Sequence, residues 1–177
     1  MAPKTKFTKE QIVDAAFEIA RTEGIDSITI RKVAEKLGSS IAPIYVNFKE
    51  VGELVEEVHK KTIEVSRQIL MKQNSGHPFH DIGVASIRFA REYPVLFRDL
   101  VMKKNDQAKH DEEETQGFIK LMRTDPDLNG MSDEELRAIL LKMKIFQVGM
   151  SVMVANELLP GDFTEERMIQ LMNSAAE

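Results

Sequence analysis

The sequence predicts an all-α protein of about nine helices, and three observations carry that reading. Two capping boxes, Thr8-Lys-Glu-Gln11 and Ser132-Asp-Glu-Glu135, stand before apolar-periodic segments. In each, an N-cap hydroxyl can accept from the backbone N–H three residues on, while the side chain there reaches back to the cap. Apolar residues recur at helical spacing through most of the chain. No alternating run is long enough to compete as a strand.

Taken in order, Phe7 and Ile12 flank the first cap as a hydrophobic staple, Ile12, Ala16, Ile19 and Ala20 form one apolar face, and Gly24 closes the first helix. Thr29 can cap the second helix, with Ile28 and Val33 repeating the staple spacing. Gly38 can take the left-handed conformation that ends it. The third helix starts near Ser40, with Pro43 in its first turn, where no backbone N–H is needed. Val33, Ala34 and Leu37 should pack inward from the second helix, and Ile44 and Phe48 from the third. A longer helix spans about 50–72 with Leu54, Val55, Val58, Thr62, Val65 and Ile69 on one side, and Asn74-Ser-Gly-His-Pro78 breaks it. Further helices follow over about 79–92, 94–102 and 111–123. The helix opened by Ser132, stapled by Met131 and Leu136, should reach about Leu159, where Pro160-Gly161 ends it. Thr164 caps a last helix to about 174, with Phe163 and Met168 as staple.

Composition excludes several classes of function. The 177 residues are 42% hydrophobic, enough for a packed core. The absence of cysteine removes disulfides, thiol catalysis and thiolate-ligated zinc. No apolar run approaches a membrane span, and Met1–Lys6 has no apolar stretch behind it, so a cytoplasmic location is expected. Residues 1–50 carry 8 Lys/Arg against 7 Asp/Glu, whereas residues 51–177 carry 16 against 22, so the acidic balance of the chain lies in its C-terminal part. A nucleic-acid face needs local rather than global positive charge.

Residues 29–49 read as two short helices hinged at Gly38, the arrangement of a helix–turn–helix whose second helix enters the DNA major groove. Thr29, Arg31, Lys32 and Lys49 are the expected phosphate contacts. Ser40, Ile41, Ala42, Pro43, Tyr45 and Asn47 form the expected groove-facing set, Asn47 by a bidentate pair with adenine and the apolar side chains on thymine methyls. An ordinary helical hairpin, with Asn47 as a cap, is the competing reading.

The N-terminal ~70 residues resemble the DNA-binding domain of the TetR family of bacterial transcriptional regulators. The resemblance rests on Ile12-Val-Asp-Ala-Ala-Phe17 with Gly24, on Thr29-Ile-Arg-Lys-Val-Ala-Glu-Lys-Leu-Gly-Ser-Ser40, and on Pro43-Ile-Tyr-Val-Asn-Phe-Lys49 with Leu54. Tyr45 matches the family's recognition-helix tyrosine and Lys49 its basic position just after that helix. Asn47 replaces a usual His or Tyr, and Val51 a common lysine. The resemblance implies a DNA-binding domain at 1–50, a connecting helix at 51–73 and a helical ligand-binding and dimerisation domain at 74–177. It further implies a homodimeric, ligand-responsive regulator, most simply a repressor, on a pseudo-palindromic double-stranded operator. A small-molecule effector would sit among the middle helices, with Phe89, Phe97, Phe118, Met122, Phe146 and Met150 as lining, and the dimer would form through the last two helices. Gly149, Ser151 and Ala155 would permit close helix approach there. No catalytic set, metal site or cofactor motif is expected: His77-Pro-Phe-His80-Asp81 reads as surface, and the acidic run 111–114 as a complement to a helix start. A helical interaction module and a small-molecule enzyme without DNA selectivity are the alternatives.

Overall fold

The structure, a computed structural model, describes residues 7–102 and 108–176, so Met1–Lys6 lie outside the described residues. Among those described, every regular element is a helix. They are α1 (Lys9–Glu23), α2 (Ile30–Lys36), α3 (Ala42–Asn47), α4 (Val51–Met71), α5 (Pro78–Glu92), α6 (Pro94–Met102), α7 (Ala108–Met122), α8 (Asp133–Ala155) and α9 (Glu165–Ala176), with short 3-10 turns at Ile25–Ser27 and Pro126–Leu128. The chain divides into two compact units, Met1–Val65 and Ser66–Glu177, and the division falls within α4.

In the first unit the expected caps form. Thr8 N–H donates to Gln11 Oε1 at 2.9 Å and Gln11 N–H to Thr8 Oγ1 at 3.2 Å, opening α1. Ile12, Ala16, Ile19 and Ala20 are buried with Val33, Ala34, Ile44, Phe48, Leu54 and Val58. Leu37, expected inside, is only half-buried because it is the residue at which α2 ends. The first half of α4 is held to α1 by ion pairs between Lys61 and Asp14 and between Lys9 and Glu57, and Lys61 also lies over the Phe17 ring. Lys60 and then Lys9 donate to the Glu57 carboxylate and hold its pKa below the usual value.

The second unit is organised around α5, which packs on α6, α7, α8 and α9. Its core joins Phe79, Val84 and Ile87 of α5 to Ile119 and Met122 of α7, Leu136, Met143 and Met150 of α8, and Met168 and Met172 of α9. Gly83 lets α9 approach α5, since a Cβ there would lie 2.2 Å from Met172 Sδ. Arg88 ties three segments together, donating to Glu165 Oε1 on α9 at 2.8 Å and to Gln73 Oε1 just beyond α4 at 2.9 Å. The second capping box forms as expected at Ser132 and Glu135, and the Ser132 backbone N–H and hydroxyl lower the Glu135 pKa. α7 begins at Ala108, ahead of the acidic run, and the side chains of Asp111, Glu113 and Glu114 lie outside the described residues.

α8 ends at Ala155, short of the expected Leu159. The Leu158 N–H bonds Met153 O at 2.9 Å and the Glu157 N–H bonds Val154 O at 3.2 Å, while Asn156 Nδ2 caps Val152 O at 2.7 Å. This pair of bonds is a Schellman ending with Glu157 at the left-handed position, φ 54°. Glycine usually marks that position, so the ending carries no sequence signal. A Cβ in this conformation costs about 1 kcal/mol. Glu157→Gly is therefore expected to raise the stability of the second unit by several tenths of a kcal/mol to about 1 kcal/mol, measured as a higher urea midpoint at unchanged slope.

Candidate nucleic-acid interface

The candidate site is built by two helix ends and a turn. Thr29 opens α2, its hydroxyl oxygen accepting from Lys32 N–H at 3.2 Å. Ile28 and Val33, the residues at staple spacing, are both buried. At the far end the Ser39 N–H bonds Ala34 O at 2.9 Å and the Gly38 N–H bonds Glu35 O at 3.0 Å, with Gly38 at φ +61°. That is a second Schellman ending, here with the glycine it needs. The chain reverses through Ser39 and Ser40, and α3 starts after Ile41 with Pro43 in its first turn. Ile44 and Phe48, four residues apart, are buried and fix which way α3 is turned.

That register decides the opposite face. Ile41, Tyr45 and Val46 are 48%, 52% and 68% exposed, and Ala42 is exposed beside them. Positions 41 and 45, and 42 and 46, are successive turns of two adjacent rows, so the four form one outward stripe. Val46 is absent from the expected contact set. Its place one residue after Tyr45 and one turn after Ala42 was the available signal. Ser40 is exposed and Pro43 half-buried at the entry to α3.

Asn47 is half-buried, and its Nδ2 donates to Pro43 O at 3.0 Å. A bidentate adenine pair would require that side chain to turn away from its own helix. Thr29, Arg31, Lys32 and Lys49 are all exposed. Lys32 Nζ pairs with Glu23 at 2.6 Å across exposed surface, a contact worth little and easily exchanged for a phosphate. Among the described residues, the Arg31 and Lys49 side chains have no carboxylate partner, and the Lys49 backbone N–H is capped by Glu53 Oε2 at 2.8 Å, which fixes the start of α4. Val51 is exposed in the first turn of α4 and itself brings no charge there.

No protein-family model matches the chain. Among curated proteins, the class D tetracycline repressor of Escherichia coli is 26% identical over 104 residues, 59% of this chain but 44% of that repressor. The repressor DrrR1 of Streptomyces coeruleorubidus is 35% identical over 54 residues, 30% of this chain and 20% of its own length. The chain thus spans less than half the length of the curated relatives it matches. A solved TetR-like regulator from Rhodococcus sp. RHA1 shares the fold, with a TM-score of 0.70 over 95% of this chain and 92% of that one at 15% identity. The chain is thus similar in part of its sequence to tetracycline repressors and shares its fold with a TetR-like regulator.

The residues expected to line an effector site lie in the second unit. Phe89, Phe97, Met122 and Met150 are buried, and Phe118 and Phe146 half-buried. Met122 and Met150 are part of the α5–α9 core, with Phe146 packed against it, and Phe89 stacks on Tyr93 at 5.5 Å. An open depression of about 420 Å³ lies elsewhere, lined by Arg88, Arg91, Glu92 and Glu165 rather than by aromatic side chains. Among the described residues, the buried Ser151 hydroxyl has no hydrogen-bond partner. Ser151 therefore faces inward, not toward a helix partner as expected, while Gly149 is open and the side chain of Ala155 lies outside the described residues.

His77 does not join His80 in a cluster. Its Nδ1 lies 2.9 Å from Asp127 Oδ2 and 3.6 Å from Asp125 Oδ1. These three side chains have the donor types and spacing of a metal site. The Asp125 carboxylate is already used by two backbone donors, Phe79 N–H at 3.0 Å and Asp127 N–H at 3.1 Å. It caps α5 and the Pro126–Leu128 turn at once, and His77 closes the clasp from outside.

Proposed function

We propose that the chain is a homodimeric transcriptional repressor that places α3 in successive major grooves of a pseudo-palindromic operator and is released by a small-molecule effector. The observation that carries this reading is the outward stripe of α3, held by buried Ile44 and Phe48 and flanked by the exposed cations Arg31, Lys32 and Lys49. The names of the relatives support it, since the tetracycline repressors and DrrR1 are described as repressors. Two-fold pairing through α8 and α9 is supported by Leu141, Ile145 and Met153 on α8 and Leu171 on α9, large apolar side chains left exposed. Effector control requires a ligand that prefers a state in which the two reading heads are wrongly spaced. The unpartnered Ser151 hydroxyl in the second unit supports a polar ligand group nearby. α4, whose residues belong to both units, is the proposed lever. The domain limits 1–50, 51–73 and 74–177, and a cytoplasmic location, belong to the same proposal. Among the described residues, no helix is long and apolar enough to cross a membrane.

Selection from a random duplex pool tests the reading. A two-fold-symmetric consensus is the expected outcome, and dimerisation without any selected sequence would overturn it in favour of an interaction module. A further expectation concerns Lys49. Lys49→Ala should weaken binding to every duplex alike and reduce the slope of log K against log[salt] by about one. An unchanged slope would remove Lys49 from the phosphate contacts.

A further inference from the structure

We infer that this protein reads its operator through thymine methyl groups, with Ile41 and Val46 as the specificity-determining side chains. The inference rests on the operator-binding reading and names what that site recognises. Its basis is what α3 presents. The outward stripe consists of Ile41, Ala42, Tyr45 and Val46, with no amide, guanidinium, ammonium or carboxylate among them. The nearest amide, that of Asn47, donates to Pro43 O of its own helix. Hydrogen-bonding readers of guanine and adenine need donors on the facing surface, and the stripe itself carries one, the Tyr45 hydroxyl, with the Ser40 hydroxyl exposed at the entry to α3. The 5-methyl of thymine is the apolar feature that base pairs display in the major groove, and it matches a branched aliphatic side chain.

Large apolar side chains as exposed as Val46 and Ile41 are unfavourable in water unless something covers them. Charge selects DNA as the cover rather than an apolar protein surface. Residues 29–49 contain four cations, Arg31, Lys32, Lys36 and Lys49, against the single carboxylate of Glu35, in a chain whose overall charge is −5. This local reversal of sign frames the stripe with phosphate-binding groups. Phosphate contacts then set position and register, while the apolar stripe distinguishes thymine from cytosine, which lacks the methyl.

The test replaces thymine by deoxyuridine, which deletes the methyl and keeps every hydrogen-bonding group. The full chain is titrated with its selected operator and with the same duplex carrying deoxyuridine at each half-site thymine in turn. Loss of one buried methyl should weaken binding about four-fold at each contacted position. Val46→Ala and Ile41→Ala change exposed side chains and leave the buried set intact, so both variants should fold. Each should abolish the deoxyuridine penalty at its own position while keeping the parent's salt slope. Equal affinity for the thymine and deoxyuridine operators would overturn the inference while leaving the regulator intact. So would a penalty that persists undiminished in both variants. Failure to select any duplex would overturn the operator-binding reading itself and this inference with it.

Discussion

Phe48→Ala is expected to remove about 3–5 kcal/mol from the first unit, the usual loss on truncating a buried phenylalanine. Phe48 is 2% exposed and lies at the junction where α3 ends and the chain turns extended toward α4. With Ile44 it is the inward anchor of α3, and Lys9 sits over its ring at 5.5 Å. A unit ending near Val65 has a total stability of roughly 3–10 kcal/mol by size, so this loss removes much of it. DNA binding should disappear although Phe48 does not face outward. Urea unfolding followed by a probe in the first unit should show a large fall in midpoint. Val46→Ala, on the exposed side of the same helix, should stay within about 0.5 kcal/mol of the parent. Similar midpoints for the two variants would mean that α3 is not anchored through Phe48.

Asp125→Ala should destabilise the second unit by about 3 kcal/mol, because hydrogen bonds to a charged acceptor are worth about 1.5–3 kcal/mol each and this side chain receives two. Asp125 is 3% exposed. Its removal strands the buried Phe79 N–H at the start of α5 and uncaps the Pro126–Leu128 turn. Asp125→Asn retains one acceptor oxygen and should recover part of the loss. The readout is the thermal midpoint of the second unit across Asp, Asn and Ala. Equal midpoints for all three would show that the clasp contributes nothing to the fold.

These two side chains also show how far the sequence could be read. Phe48 was legible because its partner Ile44 lies four residues earlier on a short helix with a marked start and a glycine before it, all of them local signals. The caps at Thr8, Thr29 and Ser132 were legible for the same reason: donor and acceptor stand three residues apart. Asp125 was not, since Phe79 lies 46 residues away and nothing in either segment announces the other. The end of α8 was missed because Glu157 occupies a position that glycine normally marks. Ser151, expected with Gly149 and Ala155 to permit close helix approach at a dimer interface, is buried within the second unit.

Periodicity, capping and turn chemistry are properties of neighbouring residues, so the sequence alone determined that the protein is helical, where most helices begin, and that α2 and α3 meet at Gly38. Which side chains α3 leaves exposed depends on which way the burial of Ile44 and Phe48 turns the helix. Helical spacing alone offered Val46 as a neighbour of Ala42 and Tyr45, but that this face is the outward one, and that Asn47 turns back onto its own helix, was decided by packing. The same holds for Asp125, whose two backbone partners come together only when α5 and the Pro126–Leu128 turn are packed. Local bonds are written in local sequence, whereas burial is set by the whole unit.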